Sequence, residues 1–254
     1  MKKRLKGKIA WVNGASRGIG LAIARAFARE GATLAISSRK KDAIDEAARK
    51  IEADFEVPVL SYACHMAAPE QVEGTYAGIT DALGVPSILV NNGGTSPYFG
   101  PFLDAPEALW DKTFEVNLKG PFWATRLVVK GLMEQGNGGS IINTASIQGT
   151  LGAPYQGVYA MTKSALISMT QTLALELGPS GIRVNAIAPG LVQTRLAAAL
   201  TDNPDFARLY TDRAALRRFG QPEEIAGAAV FLASEESSYL SGQTITIDGG
   251  YTAA

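Results

Sequence analysis

Tyr159 and Lys163 stand four residues apart in the run YAMTK, and Ser146 lies thirteen residues before the tyrosine. A four-residue spacing puts two side chains on one face of a helix. There a cationic Lys163 can favour ionisation of Tyr159, and the phenol can donate a proton to a developing alkoxide or accept one in the reverse direction. Ser146, just after a predicted strand, can hydrogen-bond the same reacting oxygen. Such spacings also occur on ordinary helices, so these three residues identify catalysis only in company with others.

Part of that company is the run GASRGIG, with Gly14, Ser16, Arg17, Gly18, Ile19 and Gly20 between a predicted strand and a predicted helix. Glycines at this crossing allow the backbone to approach a pyrophosphate, while the helix N-terminus offers amide donors and a favourable dipole. After the second predicted strand, Ser38 and Arg39 stand where an acidic residue would hold a free adenosine ribose. An arginine there, helped by Arg17, suits charge-assisted contacts to a 2'-phosphate, so the pattern points to NADP(H) over NAD(H). Cys64, His65 and Met66 follow the third strand and border the adenine position. Cys64 reads as a small buried residue, and His65 as adenine packing or a satisfied structural histidine. Neither has the neighbours a metal site needs.

The elements that must position these groups alternate. Strands are predicted at 8–13, 33–37, 57–61, 87–91, 139–144, 182–187 and 243–247, with helices at 19–30, 40–54 and 69–83 between the early ones. Pro106 opens a long helix that contains Asn117 and reaches about Glu134, with a kink expected at Pro121. Another helix begins near Tyr155, and Pro222 opens one directed toward Leu232. The loop NNGGTSPYFGPFLDAP has too many turn formers for a helix, and its aromatic residues either line a pocket or cover the core. After the sixth strand, APGLVQTRLAAAL reads as an irregular segment that covers a site.

The chain has 254 residues, 46% of them hydrophobic, and 24 basic against 24 acidic side chains. One large α/β domain spanning 1–254 is the simplest organisation. Balanced charge gives no general attraction for nucleic acid or an anionic membrane. Lys2, Lys3, Arg4, Lys6 and Lys8 read as a solvated basic start. No apolar run approaches the roughly 18 residues of a membrane span, and the single cysteine favours a reducing cytoplasm.

Read in order, GASRGIG, NNGG (91–94), Asn117, Ser146, YAMTK and NAIAPG (185–190) make the whole chain resemble the short-chain dehydrogenase/reductase family. The resemblance implies a Rossmann-like, doubly wound, mainly parallel seven-stranded sheet flanked by helices. It implies NADP(H) across the strand ends and a catalytic tetrad of Asn117, Ser146, Tyr159 and Lys163. In that pattern Lys163 contacts the nicotinamide ribose and Asn117 supports a proton route through it. Asn91 and Gly93 match a nucleotide-supporting turn, Asn185 a strand brace, and Pro189, Gly190, Val192 and Thr194 positions near nicotinamide or its phosphate. On the substrate side stand Ser146, Gln148 and Tyr159, with Tyr98, Phe99, Leu151, Pro154 and Gln156 as further candidates, under a covering segment at about 191–216. The implied activity is NADPH-dependent reduction of a ketone or aldehyde, reversible with NADP, by a homotetramer. The alternatives are a 3-oxoacyl thioester reductase and a catalytically weak NADP-binding regulatory protein.

Overall fold

A computed structural model of the chain describes residues 3–201 and 203–253. Lys2 of the basic start and Asp202 of the covering segment lie outside them. The first half runs β1 (Ile9–Asn13), α1 (Gly18–Arg29), β2 (Thr33–Ser38), α2 (Lys41–Phe55), β3 (Val59–Ala63), α3 (Pro69–Leu83) and β4 (Ile88–Asn91). The second runs α4 (Glu107–Phe114), a π-helical segment (Glu115–Lys119), α5 (Gly120–Glu134), β5 (Gly139–Thr144), α6 (Gly157–Leu177) and β6 (Ile182–Pro189). It closes with α7 (Ala198–Thr201), α8 (Pro204–Arg213), α9 (Pro222–Ala233) and β7 (Thr244–Ile247).

The strands form one seven-stranded sheet in the order β3-β2-β1-β4-β5-β6-β7. Every pairing is parallel, not merely most of them. Parallel neighbours need crossover helices on both faces, so the strands are buried on both sides and successive residues enter different cores. Thus Val12, Leu34 and Ile36 pack with α1, α2 and α9, whereas Trp11, Ala35 and Leu89 pack with α3, α5 and α6. Each fully buried large apolar side chain contributes about 1.5–3 kcal/mol. The order reverses between β1 and β4, and the C-terminal ends of those strands open a crevice there.

Several boundaries differ from the sequence reading for local reasons. β3 begins two residues late because Glu56 closes α2 in a left-handed conformation, φ 55. α6 begins at Gly157, because Tyr155 has φ 66 and cannot belong to it. The expected irregular segment runs into α7, and the covering segment at about 191–216 also holds α8, capped by Asn203, whose side chain accepts from the Asp205 and Phe206 amides, with Pro204 following. The basic start is tied down, with Arg4 paired to Glu30 at 2.7 Å and Lys8 to Glu235 at 3.1 Å. Among the described residues no helix is long and apolar enough to cross a membrane.

The irregularity near Pro121 is a π turn placed just ahead of it. In an α-helix the amide of residue 121 would donate to the carbonyl of Asn117, and proline has no such amide. The local widening centres on Asn117 and turns its side chain toward the strand ends.

Candidate active site

Asn13 and Asn91 end their strands, Asn143 stands one residue before the end of β5, and the three share one register, Asn13 opposite Asn91 and Asn91 opposite Asn143. Their buried amides form a chain. Asn13 Nδ2 donates to Asn91 Oδ1 at 2.9 Å, and Asn91 Nδ2 donates to Asn143 Oδ1 at 2.9 Å and to Thr125 Oγ1 at 3.0 Å. Asn143 Nδ2 then donates to Thr170 Oγ1 on α6 at 2.9 Å. Satisfied buried networks of this kind fix relative positions. This one holds the crevice rim, with Asn13 Oδ1 also accepting from the Asn92 and Gly93 amides at 2.9 and 2.8 Å.

Two residues expected to touch the cofactor therefore act from behind the rim. Asn91 spends its amide on strand neighbours and does not line the crevice. Gly20 also lies off the cavity wall, and its missing side chain lets α1 close onto Asn92 and the Gly14 carbonyl. Asn185 braces β6 as expected, donating to Leu240 O at 2.8 Å and accepting from the Gln243 amide at 3.0 Å. Gly14 packs against the rim backbone to backbone. With φ +67, it would hold a Cβ only 2.6 Å from Gly93 Cα. Gly14→Ala is expected to destabilise the protein by about 1–3 kcal/mol; an unchanged thermal midpoint would show that the close approach is not needed.

The crevice opens into a cavity of about 700 Å³. At one end lie Gly14, Ser16, Arg17, Gly18, Ile19, Ser38 and Arg39, then Cys64, His65, Met66 and Gly93. Arg17, Arg39 and the neighbouring Lys40 are exposed and make no ion pair with a described residue. No aspartate or glutamate is among the described residues that line the cavity. Unpaired cations beside a glycine turn and a helix N-terminus are a donor set that fits a phosphorylated dinucleotide. His65 Nδ1 accepts from the Ala67 amide at 3.1 Å, so in the neutral ring the proton sits on Nε2. Burial lowers its pKa, and the positive fields of Arg39 and Lys112 lower it further.

Ser146, Tyr159 and Lys163 meet in the middle of the cavity, beside Pro189, Gly190, Val192 and Thr194. Ser146 follows β5 in an extended conformation, and its Oγ accepts from the Gln148 amide at 3.2 Å. Tyr159 shows part of its surface to the cavity, yet the protein packed around the phenol pushes its pKa up to about 12, against a downward pull from a hydrogen bond to Ser146. Lys163 Nζ is buried, donates to Thr144 O at 2.6 Å and lies 5.5 Å from the Tyr159 ring centre. Burial brings this ammonium down to about 8. The expectation that Lys163 lowers the phenol's pKa thus meets a larger opposing effect, the desolvation of both groups.

Asn117 is buried and does not line the cavity. Its Oδ1 accepts from the Thr95 amide at 2.8 Å, and its Nδ2 donates to Thr95 O at 2.8 Å and Thr162 Oγ1 at 3.1 Å. It therefore joins the loop after β4 to α6, one residue from Lys163.

On the outer side, Gln148, Leu151, Pro154, Gln156 and Phe99 line the cavity, but Tyr98 does not. Its hydroxyl is committed to Pro101 O at 2.7 Å. Sequence reasoning missed Tyr155, Phe206, Tyr210 and Tyr251, all of them cavity-lining. Phe206 and Tyr210 required α8 to be recognised. Tyr251 arrives from beyond β7 by stacking on Tyr210, ring centres 4.5 Å apart, a contact with no local signal.

Comparison with known proteins is consistent with this geometry. Residues 14–252 match the family described as Enoyl-(Acyl carrier protein) reductase. The chain is 37% identical over 246 residues to the Homo sapiens protein named Dehydrogenase/reductase SDR family member 4, covering 97% of this chain and 88% of that one. The structure of L-sorbose reductase from Gluconobacter frateurii, complexed with NADPH and L-sorbose, is similar with a TM-score of 0.92, 36% identity and full coverage of both chains, 100% and 100%. A gluconate 5-dehydrogenase from Burkholderia cenocepacia, in complex with NADP and tartrate, gives a TM-score of 0.95 at 34% identity, covering 100% of this chain and 98% of its own.

Proposed function

The chain belongs to the short-chain dehydrogenase/reductase family of oxidoreductases, and from that premise we propose that it reduces a ketone or aldehyde to the alcohol with NADPH, reversibly with NADP. One juxtaposition carries the reading. A Ser146, Tyr159 and Lys163 cluster shares a cavity with Arg17 and Arg39, and among the described residues no acid lines it and none pairs with either arginine. The solved relatives bound to NADPH and NADP agree with that choice of cofactor.

Arg17, Arg39 and Ser38 would hold the 2'-phosphate end, the turn from Gly14 to Ile19 would hold the pyrophosphate, and Pro189 to Thr194 would border the nicotinamide. The bound cofactor supplies hydride to the carbonyl carbon. Ser146 hydrogen-bonds the carbonyl oxygen, and Tyr159, fully protonated at neutral pH, donates its phenolic proton as that oxygen gains charge. The resulting phenolate is a much stronger base than the amine of Lys163, given values of about 12 and about 8. Return of a proton from Lys163 to Tyr159 therefore runs downhill. Asn117 holds the backbone on which this exchange depends. The segment at about 191–216 covers the substrate, with Leu196, Leu200 and Phe206 already facing it.

Arg39→Asp is expected to raise the KM for NADPH by about tenfold to a hundredfold, the loss of a charge-assisted hydrogen bond, and to narrow the gap to NADH. Unchanged relative KM values would remove phosphate recognition from Arg39. The whole proposal is tested by initial rates of NADPH and NADH oxidation with chemically distinct carbonyls, including a 3-oxoacyl thioester. Selective turnover of the thioester would favour the acyl reductase. NADPH binding with no turnover of any carbonyl would favour a regulatory protein.

We extend the proposal to a cytoplasmic homotetramer. Phe122 on α5 and Met161 and Leu175 on α6 remain 44%, 41% and 82% exposed, apolar surface of the kind that association covers. The sole cysteine, Cys64, is buried with its thiol pushed up by desolvation, which suits a reducing compartment. Light scattering should give about four times the chain mass of 26.8 kDa; a monomeric mass would reject the assembly.

A further inference from the structure

Tyr155 is an aromatic residue in a backbone conformation that favours glycine, φ +66, immediately before the helix that carries Tyr159 and Lys163. Strain of this kind persists where surrounding structure over-determines it, and functional sites are where it concentrates. Here the Gly100 amide donates to the Tyr155 carbonyl at 3.0 Å, which fixes the residue to the loop after β4. Core packing does not explain the side chain, because Tyr155 is 46% exposed. Its ring faces the cavity instead.

Two further rings complete a wall. Phe99 stacks on Tyr155 with centres 5.6 Å apart and planes 24° apart, and Phe206 meets Phe99 edge-on at 5.7 Å and 90°. Phe99 comes from the loop after β4, Tyr155 from the approach to α6, and Phe206 from α8. Amide and hydroxyl side chains that line the same cavity are joined to one another. Gln148 Nε2 donates to Gln156 Oε1 at 2.7 Å, and Gln156 Nε2 reaches Ser96 Oγ at 3.4 Å. No aspartate or glutamate is among the described residues that line the cavity.

We infer that Tyr155, Phe99 and Phe206 form a specificity-determining wall that selects uncharged ketones bearing an aromatic ring, with Tyr155 retained in its strained conformation for that contact. The inference rests on the carbonyl-reductase reading above. A ring on the carbonyl carbon finds exposed aromatic faces and edges that suit stacked and edge-on partners. A polyhydroxylated ketose would leave most of its hydroxyls against apolar surface, and a protonated amino ketone would meet no counter-charge among the described lining residues.

The test compares 1-phenyl-1-propanone, 2,3-butanedione and L-sorbose as substrates for the full chain and for Tyr155→Gly, Tyr155→Phe and Phe206→Ala, with NADPH affinity and thermal midpoint measured alongside. The wild type is expected to prefer the aryl ketone. Tyr155→Gly relieves the backbone strain while removing the ring. It should keep or raise the thermal midpoint yet lower the selectivity for 1-phenyl-1-propanone over 2,3-butanedione by about tenfold, through KM and not kcat. Phe206→Ala should move selectivity the same way from a different element, and Tyr155→Phe should preserve it. A wild-type preference for L-sorbose, or an equal fall for both ketones in Tyr155→Gly, overturns the wall while leaving carbonyl reduction intact. NADPH binding without reduction of any of the three overturns the carbonyl-reductase reading, and this inference falls with it.

Discussion

Tyr159→Phe is expected to lower the rate of carbonyl reduction by about a hundredfold to ten-thousandfold, the usual range for loss of a positioned general acid, while NADPH binds as before. The substitution removes one oxygen and leaves the ring in place. The phenol is the right acid for the step because burial keeps it protonated, with a pKa pushed up to about 12. Ser146 is left to hydrogen-bond the substrate oxygen and has no comparable proton to give. Single-turnover rates, with cofactor binding followed by fluorescence, separate the two effects. A rate within tenfold of wild type would remove Tyr159 from proton transfer.

Lys163→Met should do two opposite things, stabilise the protein and nearly silence it. The native environment lowers this ammonium from 10.5 to about 8, equivalent to about 3 kcal/mol of lost stability when the group is charged. The sign follows from proton binding. Between about 8 and 10.5 the unfolded chain holds the proton more tightly than the folded one, so stability rises with pH across that window, and below it the full penalty applies. Methionine nearly matches the shape and removes the penalty. It also leaves Thr144 O without its donor, which returns about 1–3 kcal/mol. The net change is expected to be a gain of about 0–2 kcal/mol at neutral pH, seen as a rise of up to several degrees in thermal midpoint. Turnover should fall with the loss of the proposed proton donor to Tyr159 and of the contact proposed for it to the cofactor ribose. In the wild type, kcat/KM for reduction should decline as pH rises through about 8, where Lys163 loses its charge. A flat profile to pH 10 would remove the buried charge from turnover, and a variant less stable than the wild type would show that its burial carries no such penalty.

Much of this site was readable because its chemistry is local. Three glycines between a strand and a helix, or Tyr159 and Lys163 one helical turn apart, carry their geometry in their spacing. Arg39 could be placed because the end of β2 is a fixed distance from the glycine turn in any parallel pair, and the register Asn13 opposite Ser37 bears that out. Spacing misled where two functions look alike in one dimension. Asn91 and Asn92 are consecutive, yet alternation along a strand sends Asn91 into the network behind the rim and leaves Asn92 on the cavity. Tyr98 and Phe99 divide in the same way, one hydroxyl satisfied by Pro101 and one ring facing inward.

By itself, the sequence determined the α/β alternation and pointed to the residues proposed for the cofactor end and for proton handling, because these depend on periodicity and on contacts within a few residues. Only the tertiary structure decided which groups are desolvated. Burial raises Tyr159 and lowers Lys163, and burial is a property of everything that packs around a residue. Tertiary contacts alone also brought Phe99, Tyr155 and Phe206 together, from loops and a helix more than fifty residues apart in sequence. Such an encounter leaves no period to read.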